Sequence, residues 1–340
     1  MSAPGRTLAI ETSPHLASGA SVDTIMRNVV YALLPVACYA VYLFGLSALL
    51  VLVTATLSCV LTEHLMCRAA GRATSVRDWS VVITGLLYGL TLPPALPLWM
   101  VASGGVIGVA LGKVLFGGLG YNAFNPALVG RVFLQAAFPT AMTTWYPALL
   151  PQRFMELPSS ILTFPFARPD FDGLTAATPL AQMKFDQLST PATELVLGTT
   201  AGSTGETGAL LILAGGAWLV ARNMMNWRIP AAIFATVAVA SALLHWVDPQ
   251  YYPGPVFMLF SGGLMLGAVF MATDMVASPI TRRGVIVYGV LIGALVVVIR
   301  VWGGMPEGVM YAILLANAVS PHIDNLVRPR VFGTGGGRAL

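Results

Sequence analysis

Charge is what this chain has least of. Only 9% of its 340 residues are Asp, Glu, Lys or Arg, against roughly 25% in a soluble globular domain. Too few polar side chains remain to cover a water-exposed surface, which excludes an ordinary soluble fold. Cysteine is scarce as well: Cys38, Cys59 and Cys67 lie in or beside apolar runs and form no C-x-x-C pair. That excludes an iron–sulfur or zinc site built from this chain alone. The four histidines, His15, His64, His245 and His322, are scattered and make no metal-ligand cluster, so no metal is expected. The net charge of +4 is modest, and no basic stretch is interleaved with aromatics, so no nucleic-acid partner is expected. The first 20 or so residues, with Glu11, Pro14 and His15, lack an apolar core and read as a polar tail with no cleavable signal.

What is present in abundance is apolar. Hydrophobic residues make up 56% of the chain, and there are 35 glycines, as suits helices that approach closely in lipid. The bilayer is the expected solvent. A span needs about 20 apolar residues, which gives roughly ten candidates. They lie near 25–44, 46–66, 79–95, 97–115, 125–147, 207–222, 229–247, 255–272, 285–301 and 306–320, the third and tenth being short and either full spans or broken, re-entrant helices. The chain therefore reads as an all-α polytopic membrane protein.

Lysine and arginine set the orientation. With the N-terminus cytoplasmic, the inner segments hold Arg6, Arg27, Arg68, Arg72, Arg77, Lys113, Arg222, Arg228, Arg282, Arg283, Arg328, Arg330 and Arg338. The outer turns hold only Arg300. Residues 148–206 then form a long outer loop, in which Glu156, Asp170, Asp172, Asp186, Glu194 and Glu206 outnumber Arg153, Arg168 and Lys184. The expected organisation is a cytoplasmic tail (1–24), a first membrane repeat (25–147), the periplasmic loop (148–206), a second membrane repeat (207–322) and a cytoplasmic tail (323–340). A weak internal repeat supports the division. Thr84-Gly85-Leu86 precedes Pro93-Pro94 as Ser261-Gly262-Gly263-Leu264 precedes Pro279, and Gly117-Gly118 is echoed by Gly303-Gly304. Two sets of five spans have opposite orientations, the inverted-repeat arrangement of many transport proteins.

Within the loop lies Asp172-Gly173-Leu174-Thr175-Ala176-Ala177-Thr178-Pro179. Gly173, Ala176 and Ala177 leave the backbone unshielded, and Pro179 biases Thr178 toward an extended conformation. By its residues alone this is either a small-residue loop or an uncrowded hydroxyl acceptor. The segment resembles the flavinylation motif of the RnfD family and of the related B subunit of the sodium-translocating NADH:quinone reductase. There an Asp precedes Ser/Thr-Gly-Ala-Thr, whose last Thr carries FMN through a phosphoester. The resemblance implies Thr178 as acceptor, with Asp172 and Thr175 as motif residues. Ala176 departs from the usual Gly by one methyl group.

The likeness runs along the chain. It includes Ser13-Pro14-His15, Gly85 to Leu90 with Leu92-Pro93-Pro94, and Gly117-Gly118-Leu119-Gly120-Tyr121-Asn122-Ala123-Phe124-Asn125-Pro126-Ala127. It continues through Phe270-Met271-Ala272-Thr273-Asp274, Ser278 to Thr281, Pro306-Glu307-Gly308, and Asn317 through Asp324. It favours the RnfD type, since the B subunit of the quinone reductase has a longer N-terminal extension. It implies a urea-transporter-like fold and a bacterial inner-membrane location. It also implies partnership with other Rnf-type subunits and a flavin transferase acting outside. The activity implied is that of a translocase component, not catalytic alone, in a complex coupling ferredoxin/NAD electron transfer to Na+ or H+ movement.

Further candidates are weighed beside their structural readings. Gly117, Gly118, Asn122 and Asn125 are either part of a second flavin site, such as one for riboflavin, or of a partner contact, or a tightly capped helix start with Pro126 in its first turn. Asp274 is either an ion or flavin contact or a helix-end carboxylate paired with Thr273 or Arg282–Arg283. Lys113 and Arg131 flank the Gly-rich turn and could neutralise an anionic flavin. Ser203 or Thr204 is expected to cap the sixth span, and Glu63-His64 to sit at the interface. The rival to the electron-transfer reading is a channel or secondary transporter for a small solute, with a merely structural loop.

Overall fold

The computed structural model describes residues 21–72, 74–165, 167, 176–206 and 208–328. Among these the chain is helical and forms no strand. Helix α1 (Val22–Phe44) starts where Ser21 Oγ accepts the Thr24 N–H at 3.2 Å. Gly45 separates it from α2 (Leu46–Ala69). Gly45 has φ +75°, and a Cβ there would sit 2.0 Å from the Arg153 carbonyl oxygen, so this joint requires glycine. Helices α3 (Ser80–Leu90) and α4 (Leu98–Val109) follow, α4 continuing into a wide π turn over Ala110–Val114. Then come α5 (Pro126–Ala137) and the short α6 (Pro139–Thr143).

The long loop carries two short helices, α7 (Pro179–Ala181) and α8 (Ala192–Leu197), with a π turn over Gln182–Asp186 between them. Beyond it lie α9 (Ala209–Ala221), α10 (Arg228–Val247), α11 (Pro255–Phe260) and α12 (Leu264–Leu266), which runs into a third π turn at Gly267–Met271. Helices α13 (Arg282–Trp302) and α14 (Val309–Leu326) complete the described chain. Helices α1, α2, α10 and α13 are long and apolar enough to cross a membrane, and α3, α4 with its π turn, and α9 are shorter apolar helices. The protein is a helical membrane protein.

Glycines set how closely the helices meet. A Cβ at Gly85 of α3 would lie 2.6 Å from Thr56 Cα of α2, and one at Gly293 of α13 would lie 3.0 Å from the Ile233 carbonyl oxygen of α10. These contacts let backbones touch where lipid provides no hydrophobic drive between helices. A single apolar core runs through both sets of helices, from Leu33 and Leu90 to Tyr288 and Ile313.

Three expected spans are interrupted. The helix expected over 79–95 stops at Leu90, before Pro93-Pro94. The one expected over 125–147 ends at Ala137, because Pro139 lacks an N–H and holds Phe138 out of the helical region at φ −133°. The one expected over 255–272 breaks at Ser261–Gly263. In lipid the freed carbonyls need donors. Arg300 supplies them to Met258 and Ser261, at 2.6 and 2.8 Å. Thr204 supplies them to Leu92 through its N–H and to Gly89 through its hydroxyl.

The loop is tied down. Ser160 Oγ donates to the Ala95 carbonyl at 2.7 Å, and the Ile161 carbonyl accepts from Leu98 N. Lys184 donates to the carbonyls of Arg300, Gly303 and Met305. Leu180, Met183 and Leu195 form a small core with Phe257 of α11. The loop therefore roofs one end of the bundle, near the C-terminal end of α3 and the N-terminal end of α4.

Candidate functional site

Thr178 is the N-cap of α7. Its φ/ψ of −68°/154° is extended, as Pro179 demands, and its Oγ1 accepts the Ala181 N–H at 3.2 Å. The side chain is buried. Ala176 is pinned in front of it by an N–H to the Trp145 carbonyl at 3.0 Å. Thr178 borders a cleft of about 460 Å3, whose walls include Ala177, Trp145, Phe185, Arg131 and Glu307. That volume falls within the roughly 300–1,000 Å3 of small-molecule pockets. The chemistry suits a flavin mononucleotide: a hydroxyl beside small residues, two aromatic faces and one guanidinium. Asp172 and Thr175 lie outside the described residues.

Behind the cleft is a group of charges that no sequence motif brings together. Arg131 Nη2 pairs with Glu307 Oε2 at 3.0 Å, and its Nη1 donates to the Thr91 carbonyl at the end of α3. The Glu307 carboxyl also faces that of Glu206, which accepts from Ser203 Oγ at 2.8 Å. A Cβ at Gly262 would come within 3.0 Å of Glu307 Oε1 and 3.1 Å of Arg300 Nη2. Only the missing side chain there lets these groups converge. The available signal was Arg300, an arginine in the last turn of an apolar span, in a turn expected to lie outside, where positive-inside anchoring gives it no reason to be. Out in the loop, partial burial lowers the pKa of the Lys184 amine.

A second cavity of about 120 Å3 lies at the opposite end of α3 and α4, bordered by Asn122, Asn125, Asp274, Lys113 and Thr84. Two π turns flank it, a feature common at functional sites. Asn122 Nδ2 donates to Asp274 Oδ2 at 3.3 Å, and Asn125 Nδ2 to the Met271 carbonyl at 3.3 Å. Asn125 Oδ1 caps α5 by accepting Ala127 N at 3.0 Å, with Pro126 in the first turn, so the helix-cap reading holds for Asn125. Gly117 and Gly118 have φ of 121° and 103° and form the turn without bordering the cavity.

Several expectations are corrected. Asp274 is held by Asn122 and the Val276 N–H, while Thr273 bonds its own helix at Val269. Among the described residues Arg282 and Arg283 make no ion pair. Lys113, expected as a membrane anchor or a flavin counter-charge, is buried and paired with Glu63 at 2.7 Å, at the border of the second cavity. Glu63 is likewise buried within the protein, whereas His64 is exposed. Arg131 borders the Thr178 cleft, not the Gly-rich turn. Ser203 and Thr204 leave the start of α9 uncapped, because their hydroxyls go to Glu206 and to the end of α3.

Residues 9–333 match the model of the NQR2, RnfD, RnfE family. The chain belongs to this family. It is 42% identical over 329 residues to the D subunit of an ion-translocating oxidoreductase complex of Stutzerimonas stutzeri, covering 92% of each chain. It is 39% identical over 335 residues to the D subunit of a proton-translocating ferredoxin:NAD(+) oxidoreductase complex of Clostridium ljungdahlii, covering 96% of each. It is also 39% identical over 330 residues to the D subunit of a Na(+)-translocating ferredoxin:NAD(+) oxidoreductase complex of Acetobacterium woodii, covering 96% of this chain and 95% of that one. The family match thus spans the residues of both cavities and of the loop.

Proposed function

We propose that this chain is the flavin-bearing membrane subunit of an Rnf-type ion-translocating oxidoreductase, with FMN joined to Thr178 by a phosphoester on the periplasmic side. The observation that carries the reading is the coincidence of motif and cleft: the threonine singled out by its sequence borders a flavin-sized cavity. FMN would supply one- and two-electron chemistry, while the protein fixes its place and potential. Thr178 would contribute the oxygen of the ester link, Arg131 would offset negative charge, and Trp145 and Phe185 would offer apolar surface in the cleft wall. Lys184 and Ser160 hold the loop in register over the bundle. The Thr178 hydroxyl is buried as a helix cap, so a flavin transferase acts on the chain before the loop settles.

The membrane reading that goes with this is about ten spans in two inverted five-helix repeats, similar to urea transporters, with both termini cytoplasmic. It is supported by matched packing: α2 lies against α3 and α4, as α10 lies against α11 and α13, and α1 meets α9. A second flavin such as riboflavin at the Asn122–Asn125–Asp274 cavity would need walls from a partner subunit, since about 120 Å3 is too little to enclose it. The test is in-gel flavin fluorescence of the denatured chain, made together with its flavin transferase. The unaltered chain is fluorescent and Thr178→Ala is dark. A dark unaltered chain would overturn the reading.

A further inference from the structure

Two carboxylic acids face each other at the inner side of the Thr178 cleft, one of them, Glu307, in its wall. Glu206 lies in the loop before α9, and Glu307 just precedes α14. Their carboxyls are within hydrogen-bond reach. Glu206 Oε1 takes the Ser203 hydroxyl, and Glu307 Oε2 takes Arg131. Glu307 Oε1 is buried and unbonded among the described residues, while the Gly263 backbone N–H lies beside the same carboxyl. Two ionised carboxylates offer each other acceptors only, so their contact lacks a hydrogen, and a single proton on one supplies it. The charged and titratable neighbours are Arg131 of α5, Arg300 of α13 and, beside Arg131, Tyr311 of α14. Two guanidinium groups oppose a metal cation here, whereas a proton needs no coordination shell.

The pair also has a telling place. Glu307 borders the Thr178 cleft on one side and, on the other, a narrow cavity of about 20 Å3 that passes Arg131 and reaches Met271. The Met271 carbonyl accepts from Asn125, which borders the cavity of Asn122 and Asp274. We propose that Glu206 and Glu307 share one proton, making a protonation site on the line between the outer cleft and the inner cavity. Negative charge arriving in the cleft strengthens its hold on that proton, and loss of the charge weakens it. The proposal concerns the two acids alone and stands whether or not Thr178 carries flavin.

Infrared difference spectroscopy of the full-length Thr178→Ala chain tests it independently of the flavin. The expected result is a carboxylic-acid C=O band at pH 7 that shifts in D2O and is unmoved by Na+. It is lost in Glu206→Gln, whose amide N–H replaces the proton as donor and so keeps the fold. If Glu206→Gln fails to fold, Ser203→Ala decides, because removing the hydroxyl bonded to Glu206 shifts the band. No such band at pH 7, a band that Na+ abolishes, or a band unchanged in Glu206→Gln or in Ser203→Ala would overturn the proposal.

Discussion

Glu63–Lys113 and Arg131–Glu307 are both ion pairs inside the bundle, and they are built differently. In the first, Lys113 bonds both carboxylate oxygens at 2.7 and 2.9 Å and also Ser80 Oγ, while Ser75 adds a further bond to Glu63. Its side chains are only 3% and 1% exposed. In the second, Arg131 Nε and Glu307 Oε1 have no partner among the described residues, and the Glu307 side chain is 16% exposed, toward a cleft. A saturated pair fixes helices α2 and α4 to each other. An undersaturated pair beside a cavity keeps capacity to bind charge or a proton. The contrast is between a buried pair whose hydrogen bonds are filled and one whose bonds are not, within one protein.

The sharpest way to break this comparison is at Lys113. Lys113→Met leaves Glu63 charged and buried, and is expected to cost about 3–5 kcal/mol, seen as a large fall in the melting temperature of the detergent-solubilised protein. The double replacement Glu63→Met with Lys113→Met recovers most of it, because two well-packed apolar side chains replace the pair. Arg131→Met comes next, at about 1–3 kcal/mol for the hydrogen bonds it leaves unmade. Its cost is smaller because Glu206 and Arg300 remain beside Glu307. Equal losses at Lys113 and Arg131 in the same melting series would erase the distinction.

Smaller effects sharpen it in the loop. Thr178→Ala removes the cap of α7 and should cost about 0.5–2 kcal/mol, read as faster proteolysis of the loop, while Thr178→Ser keeps the cap. Lys184 gives the mildest effect. Its pKa is lowered in the folded protein, so between that value and its ordinary one the unfolded chain binds more protons. Loop stability therefore rises with pH through that alkaline window. The slope disappears in Lys184→Met, measured by proteolysis rate against pH.

The long helices were legible because their signal is a plain apolar run: α1, α2, α10 and α13 fall within a few residues of their expected limits. The interruptions in α5 and α11–α12 were not, whereas the shortness of the third span already allowed a broken helix at α3. A proline or glycine pair inside an apolar stretch hardly alters hydropathy, and what sustains the broken backbone is a donor far away in the chain, such as Arg300 or Thr204. The candidate site divided in the same way. Asn125 with Pro126 is a local cap and could be read directly, and the extended Thr178 followed from Pro179. The Arg131–Glu307 pair spans 176 positions, and no local spacing records it. Lys113 was misplaced for a related reason: a lysine after an apolar run looks like a membrane anchor until Glu63, 50 positions earlier, is found opposite it.

The flavin reading of the cleft depends on Thr178 as the residue that carries the cofactor. The most direct measurement is the mass of the peptide bearing both Thr175 and Thr178, from protein made with its flavin transferase, with the added group located by fragmentation. An FMN phosphoester on Thr178 and an unmodified Thr175 is the predicted result. Flavin on Thr175, or a peptide of unmodified mass, would contradict it.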